Sequence, residues 1–218
     1  MKIVHICSYF NTSSLYKNYF EELKNKKIEQ EVFIPIYKKK DIVPKEYGTV
    51  QKKEISSEYL EYHYEEILNS KDRFFLLYRT KKISQQVLKQ LNPGSEDILH
   101  AHSLFANGGV CHFIKKKTKS NYIVSIRQTD LKVYKNLRIY RGFAKSIIKE
   151  ASKVVFISHS LKTNFLKMIK DEKLKNFIEN KSIVIPNGIN DKWFKEGVRI
   201  KREFEQESIR FLYQGTLH

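Results

Sequence analysis

The sequence is poor in cysteine and has neither a long hydrophobic run nor a repeat. It has 2 cysteines among 218 residues, Cys7 and Cys111, which are too few for a disulfide framework and lack metal-site spacing. No apolar run approaches the roughly 18–20 residues that cross a bilayer. The N-terminus lacks a small-residue cleavage pattern, so it predicts a first strand rather than a signal peptide. A reducing cytoplasm is therefore the expected location.

Acidic residues are scarce relative to basic ones. Lysine and arginine total 41 against 24 aspartate and glutamate residues, which gives a formal net charge of +17. This excess predicts an anionic partner, which could be nucleic acid, an acidic membrane face or a phosphorylated substrate. The hydrophobic fraction of 41% suffices for an ordinary core and argues against global disorder.

Short β-branched runs alternate with longer amphipathic stretches. The predicted strands are Lys2–Cys7, Glu31–Ile36, Asp97–His102, Tyr122–Ile126, Lys153–Ile157 and Ser182–Ile185. Helices are predicted between the first two strands and near residues 58–91, 104–118, 131–150 and 159–179. This alternation predicts an α/β fold with a doubly wound, mostly parallel sheet that helices cover on both faces.

The C-terminal segment does not fit a single sheet. After Pro186-Asn187-Gly188 the chain is polar and charged up to about Ser208, and a strand pattern restarts at Ile209–Tyr213. A last strand with nothing after it gains little from pairing. We therefore expect a first domain over residues 1–190, a linker over 191–208 and the start of a truncated second domain over 209–218.

The ligand crevice of an open parallel sheet lies beyond the carboxyl ends of its strands. The loop after the first predicted strand contains Thr12, Ser13 and Ser14 but no G-x-G-x-x-G fingerprint, which disfavours a classical dinucleotide site. Its hydroxyls can cap the next helix or help to bind an anion. His100 and His102 project from one face of a strand without a familiar metal pattern, so we expect His102 to line the crevice and His100 to pack.

Three more segments follow predicted strands. Asn107-Gly108-Gly109 opens a helix, and its glycines allow close approach of the backbone either to a ligand or to a neighbouring strand. The polar run Arg127–Asp130 offers a cation and hydrogen-bonding groups, which favours a substrate site over a plain helix cap. Ser158-His159-Ser160 lacks a nucleophile elbow, which argues against hydrolase chemistry.

Basic residues concentrate in the second half of the chain. Residues 115–149 contain eleven lysines and arginines and one acid, Asp130. On the helix predicted near 131–150, an apolar stripe faces away from a basic stripe of Arg138, Arg141, Lys145 and Lys149. This pattern is typical of docking on anionic lipid and equally of a solvated outer face. Nucleic acid is not expected, because no recognised nucleic-acid-binding pattern accompanies the charge.

Five segments in register carry a family resemblance. They are Asp97–His102 (DILHAH), Val124–Asp130 (VSIRQTD), Val155–Ser158 (VFIS), Ile185–Asp191 (IPNGIND) and Phe211–Leu217 (FLYQGTL). Together they resemble the N-terminal half of a GT-B glycosyltransferase of the retaining family 4 group, also called glycosyl transferases group 1. The R-x-T-D form at Arg127–Asp130 resembles bacterial capsule and exopolysaccharide transferases.

The resemblance implies a Rossmann-like, acceptor-side domain of an enzyme in cell-surface polysaccharide synthesis. Such an enzyme transfers a sugar from a nucleotide-sugar donor to a saccharide or lipid-linked acceptor, with retention and with no cofactor or essential metal. It would work in the cytoplasm, at the inner face of the plasma membrane. Because the family's donor site lies mostly in the second domain, this chain alone is expected to be inactive.

The resemblance also assigns site residues. It implies catalytic roles for Asp130 and Arg127, and substrate binding by Thr12, Ser13, Ser14, His102, Asn107, Gly108, Gln128, Ser158, Asn187 and Gly188. Arg127 stands where the family usually has histidine, and because it stays protonated it is a poor general base. Whether Arg127 contacts a donor phosphate or an anionic acceptor is open at this level. We expect Asp130→Ala or Arg127→Ala to lower turnover and to leave the fold intact.

Two functions of other classes also fit the sequence. One is a non-catalytic basic α/β module that binds nucleic acid or an anionic membrane. The other is a nucleotide-binding regulatory domain without transferase chemistry. Continuation of the reading frame beyond His218 into a donor-binding domain would favour the enzyme, and tight binding of nucleoside diphosphates by this chain would favour the regulator.

Overall fold

The computed structural model describes residues 1–12, 14–38 and 54–188, and for Thr12 and Ser14 it describes only the backbone. The predicted linker over 191–208 and the predicted second-domain start over 209–218 lie outside these ranges. Within the described ranges, no helix combines the length and the apolar character that crossing a membrane requires.

The described part of the chain contains seven strands and seven α-helices. The strands are β1 (Ile3–Ile6), β2 (Gln30–Tyr37), β3 (Leu60–Leu68), β4 (Ile98–Ala101), β5 (Asn121–Ile126), β6 (Lys153–Phe156) and β7 (Ser182–Val184). The helices are α1 (Ser14–Asn25), α2 (Leu76–Gln90), α3 (Gly109–Thr118), α4 (Gln128–Asn136), α5 (Arg141–Glu150), α6 (His159–Lys167) and α7 (Glu172–Lys181).

All seven strands form one parallel sheet in the order β3-β2-β1-β4-β5-β6-β7. The predicted doubly wound α/β sheet is therefore confirmed. The strand order reverses at β1, which pairs with β2 on one side and with β4 on the other. At such a switch point the connections leave in opposite directions, and a crevice opens beyond the carboxyl ends of the strands.

The two faces of the sheet bury different kinds of side chain. Successive residues of a strand point to opposite faces, so Val4 and Ile6 of β1 join the large apolar cluster that includes residues of α2, α3 and α5. Cys7 faces the other side, where it packs with Phe20 of α1. His5 shares that second face and lies against the Phe20 ring, with a centroid distance of 4.7 Å.

Three predicted helices differ from the structure. Residues 58–91 hold strand β3 before helix α2, because Leu60 and Tyr62 alternate inward and pair with β2 at the sheet edge. Residues 131–150 hold most of α4, a 3₁₀ turn and α5, and residues 159–179 hold α6 and most of α7, with a break between the two helices at residues 168–171. The break at Leu137 leaves that side chain 46% exposed. The predicted single apolar stripe is therefore wrong, since it required one continuous helix.

The adjacent glycines before α3 pack tightly. A Cβ on Gly108 would lie 3.0 Å from Ile147 Cγ2 and 3.2 Å from Val124 Cγ2. A Cβ on Gly109 would lie 2.8 Å from the Phe143 ring. Of the two possibilities left open for these glycines, close approach to neighbouring elements of the protein is the one the geometry favours.

Replacement of Gly108 by alanine tests this packing. Ile147 and Val124 are completely buried and cannot give way, so we expect Gly108→Ala to lower the free energy of unfolding by about 1–2 kcal/mol. Gly142→Ala is the matched control, because a Cβ there meets nothing within 4 Å. In helix α5 it should raise stability by roughly 0.5–1 kcal/mol. Equal effects of the two substitutions in urea denaturation would contradict a packing role for Gly108.

Candidate functional site

Arg127 is the meeting point of three crevice loops. It follows β5, and its Nε donates to the backbone carbonyl of His102, which follows β4, at 3.2 Å. Its Nη1 donates to Asn187 Oδ1, beyond β7, at 2.8 Å. The guanidinium carbon lies 5.7 Å from the centre of the Tyr16 ring on α1. The structure therefore brings Arg127, His102 and Asn187 together, as the strand-end argument predicts.

Asp130 binds backbone groups of two loops and is buried. Its Oδ2 accepts N–H groups from Leu104 at 3.0 Å and from Arg127 at 2.9 Å, and its Oδ1 accepts that of Phe105 at 3.1 Å. Burial raises the pKa of this carboxyl group, and the three backbone N–H groups oppose the shift. Asp130 thus joins the loop after β4 to the loop after β5, and its catalytic role stays a prediction.

Three histidines lie beneath Arg127. His5 of β1 and His100 of β4 are register partners, and His102 follows on the same face. The His102 Nε2 and His5 Nδ1 atoms are 3.2 Å apart, and His100 Nε2 lies 3.1 Å from Ser125 Oγ. Sequence reasoning missed His5 as a member of this cluster. Its signal was the alternation of KIVHIC, which places His5 on the face opposite Val4 and Ile6.

Burial keeps these imidazoles uncharged. It lowers the pKa of His100 to about 4 and the pKa values of His5 and His102 well below their usual range. The Arg127 charge lowers the pKa of His100 and His102 further. The expectation that the His102 side chain lines the crevice is wrong. His102 is 3% exposed, and its ring packs against the rings of His5, His100 and Phe20. Its backbone carbonyl is the group that reaches Arg127.

The histidine cluster could hold a metal by distance alone. One nitrogen from each of His5, His100 and His102 lies within 4.8 Å of the others, and neutral imidazoles are good ligands for zinc. The Arg127 guanidinium beside the cluster opposes a second cation there. The absence of a metal requirement stays a prediction.

Two other predicted residues have structural partners. Asn107 lies in the π-helical turn Leu104–Gly108, and its Oδ1 accepts the Ser8 N–H at 3.3 Å and the Ser8 hydroxyl at 2.6 Å. This pair joins the loop after β1 to the loop after β4. Ser158 caps α6 by accepting the Leu161 N–H at 3.1 Å. Their roles in substrate binding stay predictions.

The remaining predicted residues divide into two groups. Gln128, Asn187 and Gly188 are exposed, and a Cβ on Gly188 would meet open space. Ser13 and the side chains of Thr12 and Ser14 lie outside the described part of the chain. Gly108 contributes packing, as shown above, so the exposed group and Arg127 are the predicted residues best placed to meet a ligand.

A cavity next to the switch point was not predicted. Its volume is about 180 Å³, and it is lined by Ser8, Tyr9, Pro35, Tyr37, Leu68, Arg73, Arg79 and Ala106. It lies beyond the carboxyl ends of β1, β2 and β3. Sequence reasoning missed the two arginines because it assigned residues 58–91 to one helix, in which they had no reason to face the crevice.

One relative in sequence is a glycosyltransferase, although no protein-family model matches this sequence. A stretch of 94 residues, 43% of this chain, is 31% identical to an uncharacterised glycosyltransferase of Methanocaldococcus jannaschii. The matched stretch covers 24% of that protein.

Solved structures share the fold of this chain. HepE of Anabaena, in complex with UDP and glucose, matches with a TM-score of 0.56 and 12% identity over 89% of this chain and 46% of its own. Trehalose-6-phosphate synthase of E. coli, bound with UDP-2-fluoro glucose, matches with a TM-score of 0.57 and 11% sequence identity; the match covers 88% of this chain and 50% of that one. The UDP-forming α,α-trehalose-phosphate synthase of Burkholderia vietnamiensis matches with a TM-score of 0.52 and 12% sequence identity; the match covers 88% of this chain and 49% of that one.

These neighbours are GT-B glycosyltransferases, and at such low identity the similarity establishes the fold. The expected resemblance to half of a GT-B protein is confirmed at that level. This chain spans about half the length of each solved neighbour and about a quarter of the sequence relative.

Partial burial of neutral His100 predicts acid sensitivity. Its folded pKa of about 4 lies below its ordinary value of 6.5, so between these values the unfolded state binds more protons. Stability therefore falls as the pH falls through this window, by up to about 3 kcal/mol for His100 alone. We expect His100→Gln to weaken the pH dependence of unfolding measured in urea between those two pH values. His159→Gln, at an exposed position on α6, should retain the wild-type dependence.

The geometry of Asp130 changes the expectation for its alanine variant. Removal of the carboxylate leaves the N–H groups of Leu104, Phe105 and Arg127 without their acceptor, and we expect Asp130→Ala to lose at least about 3 kcal/mol of stability. Asp171→Ala is the control, since Asp171 also accepts a backbone N–H, that of Leu174, but is exposed. Its loss should be clearly smaller. An Asp130→Ala protein as stable as wild type would contradict the binding of two loops by this carboxylate.

Proposed function

We propose that this chain is the acceptor-side half of a GT-B glycosyltransferase. The enzyme transfers a sugar from a nucleotide-sugar donor to a saccharide or lipid-linked acceptor, with retention. The observation that carries the proposal is the position of Arg127 at the switch-point crevice of this fold, where it links the loops after β4, β5 and β7. The R-x-T-D strand end supports a place in capsule or exopolysaccharide synthesis at the cytoplasmic face of the membrane.

Arg127 supplies a permanent positive charge in a fixed place. A guanidinium has five N–H donors, and the contacts with His102 and Asn187 use two of them. Three N–H donors remain to bind phosphate or carboxylate oxygens in the forked geometry that arginine favours. The neutral histidines below add no competing charge. Arg127 therefore suits the stabilisation of a departing diphosphate or the binding of an anionic acceptor.

In this proposal Asp130 holds Arg127 in place and does not itself contact the substrate. Its carboxylate accepts the backbone N–H of Arg127 itself, which fixes where the arginine leaves the strand. We assign it as a positioning residue because both of its oxygens already bind backbone groups. Gln128, Asn187 and Gly188 are exposed at the same rim and complete the acceptor-side wall of the crevice.

The second half of the enzyme would bring the donor. In the proposed reaction, closure of a donor-binding domain over the crevice excludes water and places the donor's diphosphate against Arg127. Preorganised positive charge then stabilises the developing negative charge of the leaving group. The proposal requires no metal, since the guanidinium supplies the positive charge.

The test is a transferase assay on the full-length protein from its own gene. A panel of sugar nucleotides with saccharide and lipid-linked acceptors should identify one donor from which nucleoside diphosphate is released. Arg127→Ala should lower the turnover number at least about 100-fold because it removes charge stabilisation of the transition state.

Arg138→Ala is the matched control for lost positive charge. Arg138 is exposed in the 3₁₀ turn after α4, and its variant should retain wild-type turnover. Equal turnover of Arg127→Ala and wild type would remove Arg127 from the site. Absence of turnover with every donor, together with tight binding of a nucleoside diphosphate by this chain alone, would favour the regulatory domain.

A further inference from the structure

A second cluster of metal-ligating side chains lies at the edge of the sheet, at the end opposite the crevice. It consists of Glu31 on β2 and of Glu61 and His63 on β3. One carboxylate oxygen or imidazole nitrogen from each side chain lies within 4.8 Å of the other two. All three residues belong to the first four positions of their strands, whereas the crevice lies beyond the carboxyl ends. The cluster is therefore separate from the Arg127 site.

Strand pairing fixes the positions of these three side chains. Glu31 and Glu61 are register partners in the parallel pair of β2 and β3, so their side chains leave the same face of the sheet. His63 follows Glu61 by two residues in β3 and shares that face. Paired strands lie about 4.8 Å apart. The backbone ladder thus brings the three ligand groups together, and only side-chain rotation is needed to close them around an ion.

Two atoms of the cluster are enclosed and lack a hydrogen-bond partner. They are Glu31 Oε2 and His63 Nε2, and the described part of the chain offers neither of them a partner. Lys2 Nζ donates to the other oxygen of Glu31, Oε1, at 2.8 Å. Glu61 Oε1 lies 3.6 Å from His63 Nε2, which is too far for a hydrogen bond. Because buried polar atoms normally have partners, this pair points to a ligand between the strands.

The local charge favours a cation at this edge of the sheet. The chain carries a net charge of +17, yet residues 54–70 contain no lysine or arginine and five glutamates, namely Glu54, Glu58, Glu61, Glu65 and Glu66. Lys2 offsets one of the two carboxylates of the cluster. The three-histidine cluster under Arg127 has no carboxylate, and the guanidinium beside it opposes a cation. Electrostatics therefore favour the cluster on β2 and β3 for a metal ion.

The donor set selects the metal. One imidazole nitrogen with carboxylate oxygens suits zinc, whereas magnesium and calcium prefer oxygen ligands alone. Zinc bonds of about 2.0–2.2 Å place two tetrahedral ligands roughly 3.3 Å apart. The distance of 3.6 Å between His63 Nε2 and Glu61 Oε1 is close to that value. Because the Glu61 side chain is 59% exposed, the ion can enter from solvent and keep a water molecule as its fourth ligand.

We propose that this cluster is a structural zinc site. Glu31, Glu61 and His63 bind the ion together with one water molecule. The ion joins β3, which is the edge strand of the sheet, to β2 through side chains as well as through the backbone ladder. It takes no part in the crevice, so the site does not rest on the proposed transferase function and leaves the reaction free of a metal requirement.

The experiment is isothermal titration calorimetry of the chelator-treated 218-residue chain with zinc chloride. We expect one zinc ion per chain and no binding of magnesium chloride. His63→Gln and Glu61→Gln should each weaken zinc affinity at least about tenfold, because each removes a ligand. Glu66→Gln is the matched control, since it removes an exposed carboxylate from the same strand and should keep wild-type affinity. His100→Gln, in the other cluster, should keep it too.

Thermal unfolding followed by circular dichroism gives a second readout. Zinc at about ten times its dissociation constant should raise the unfolding midpoint of the wild type by about 3–6 °C and leave that of His63→Gln unchanged. The same melts without zinc check that each variant is folded.

Three results would overturn the proposal. They are absence of zinc binding by the wild type, undiminished affinity in His63→Gln, and loss of binding in His100→Gln while His63→Gln retains it, which would place the metal in the three-histidine cluster. Zinc binding needs neither donor nor acceptor, so its outcome is independent of the transferase assay.

Discussion

The arrangement of the crevice depends on one carboxylate. Asp130 accepts backbone N–H groups from the turn after β4 and from the residue that follows β5, and this links two neighbouring strand ends beside the switch point at β1. Arg127 emerges from that link and reaches the loop beyond β7. A buried carboxylate with both oxygens satisfied is stable only in one arrangement of its donors. The position of Arg127 is therefore set by the fold itself.

Beneath Arg127 the protein places groups that carry no charge. Three imidazoles between the sheet and α1, two of them buried and that of His100 half-buried, remain neutral because burial disfavours their protonation. Two of them lie close enough for their pKa values to be lowered by the guanidinium. The crevice floor is thus polar and hydrogen-bonded while its positive charge is concentrated on one side chain, a suitable arrangement for binding a phosphate group.

The large positive charge of the chain divides into parts with different roles. Arg127 belongs to the crevice, and Arg73 and Arg79 belong to the neighbouring cavity. Other cations only pair with surface acids, as Lys145 does with Asp171. The two arginine sites lie at the same end of a parallel sheet, beyond the carboxyl ends of its strands.

The sequence by itself determined the α/β class, six of the seven described strands and the convergence of Arg127, His102 and Asn187, because strand periodicity is local and parallel strands end at a common edge. It did not reveal β3, an edge strand whose apolar spacing also fits a helix. Nor did it reveal the breaks within 131–150 and 159–179. Only the tertiary structure decided that Asp130 binds two loops, that His5 joins the histidines, and that Arg73 and Arg79 face a cavity. These facts depend on contacts between residues far apart in the chain; for His5, the local alternation of residues 2–7 gives only the face of the sheet on which it lies.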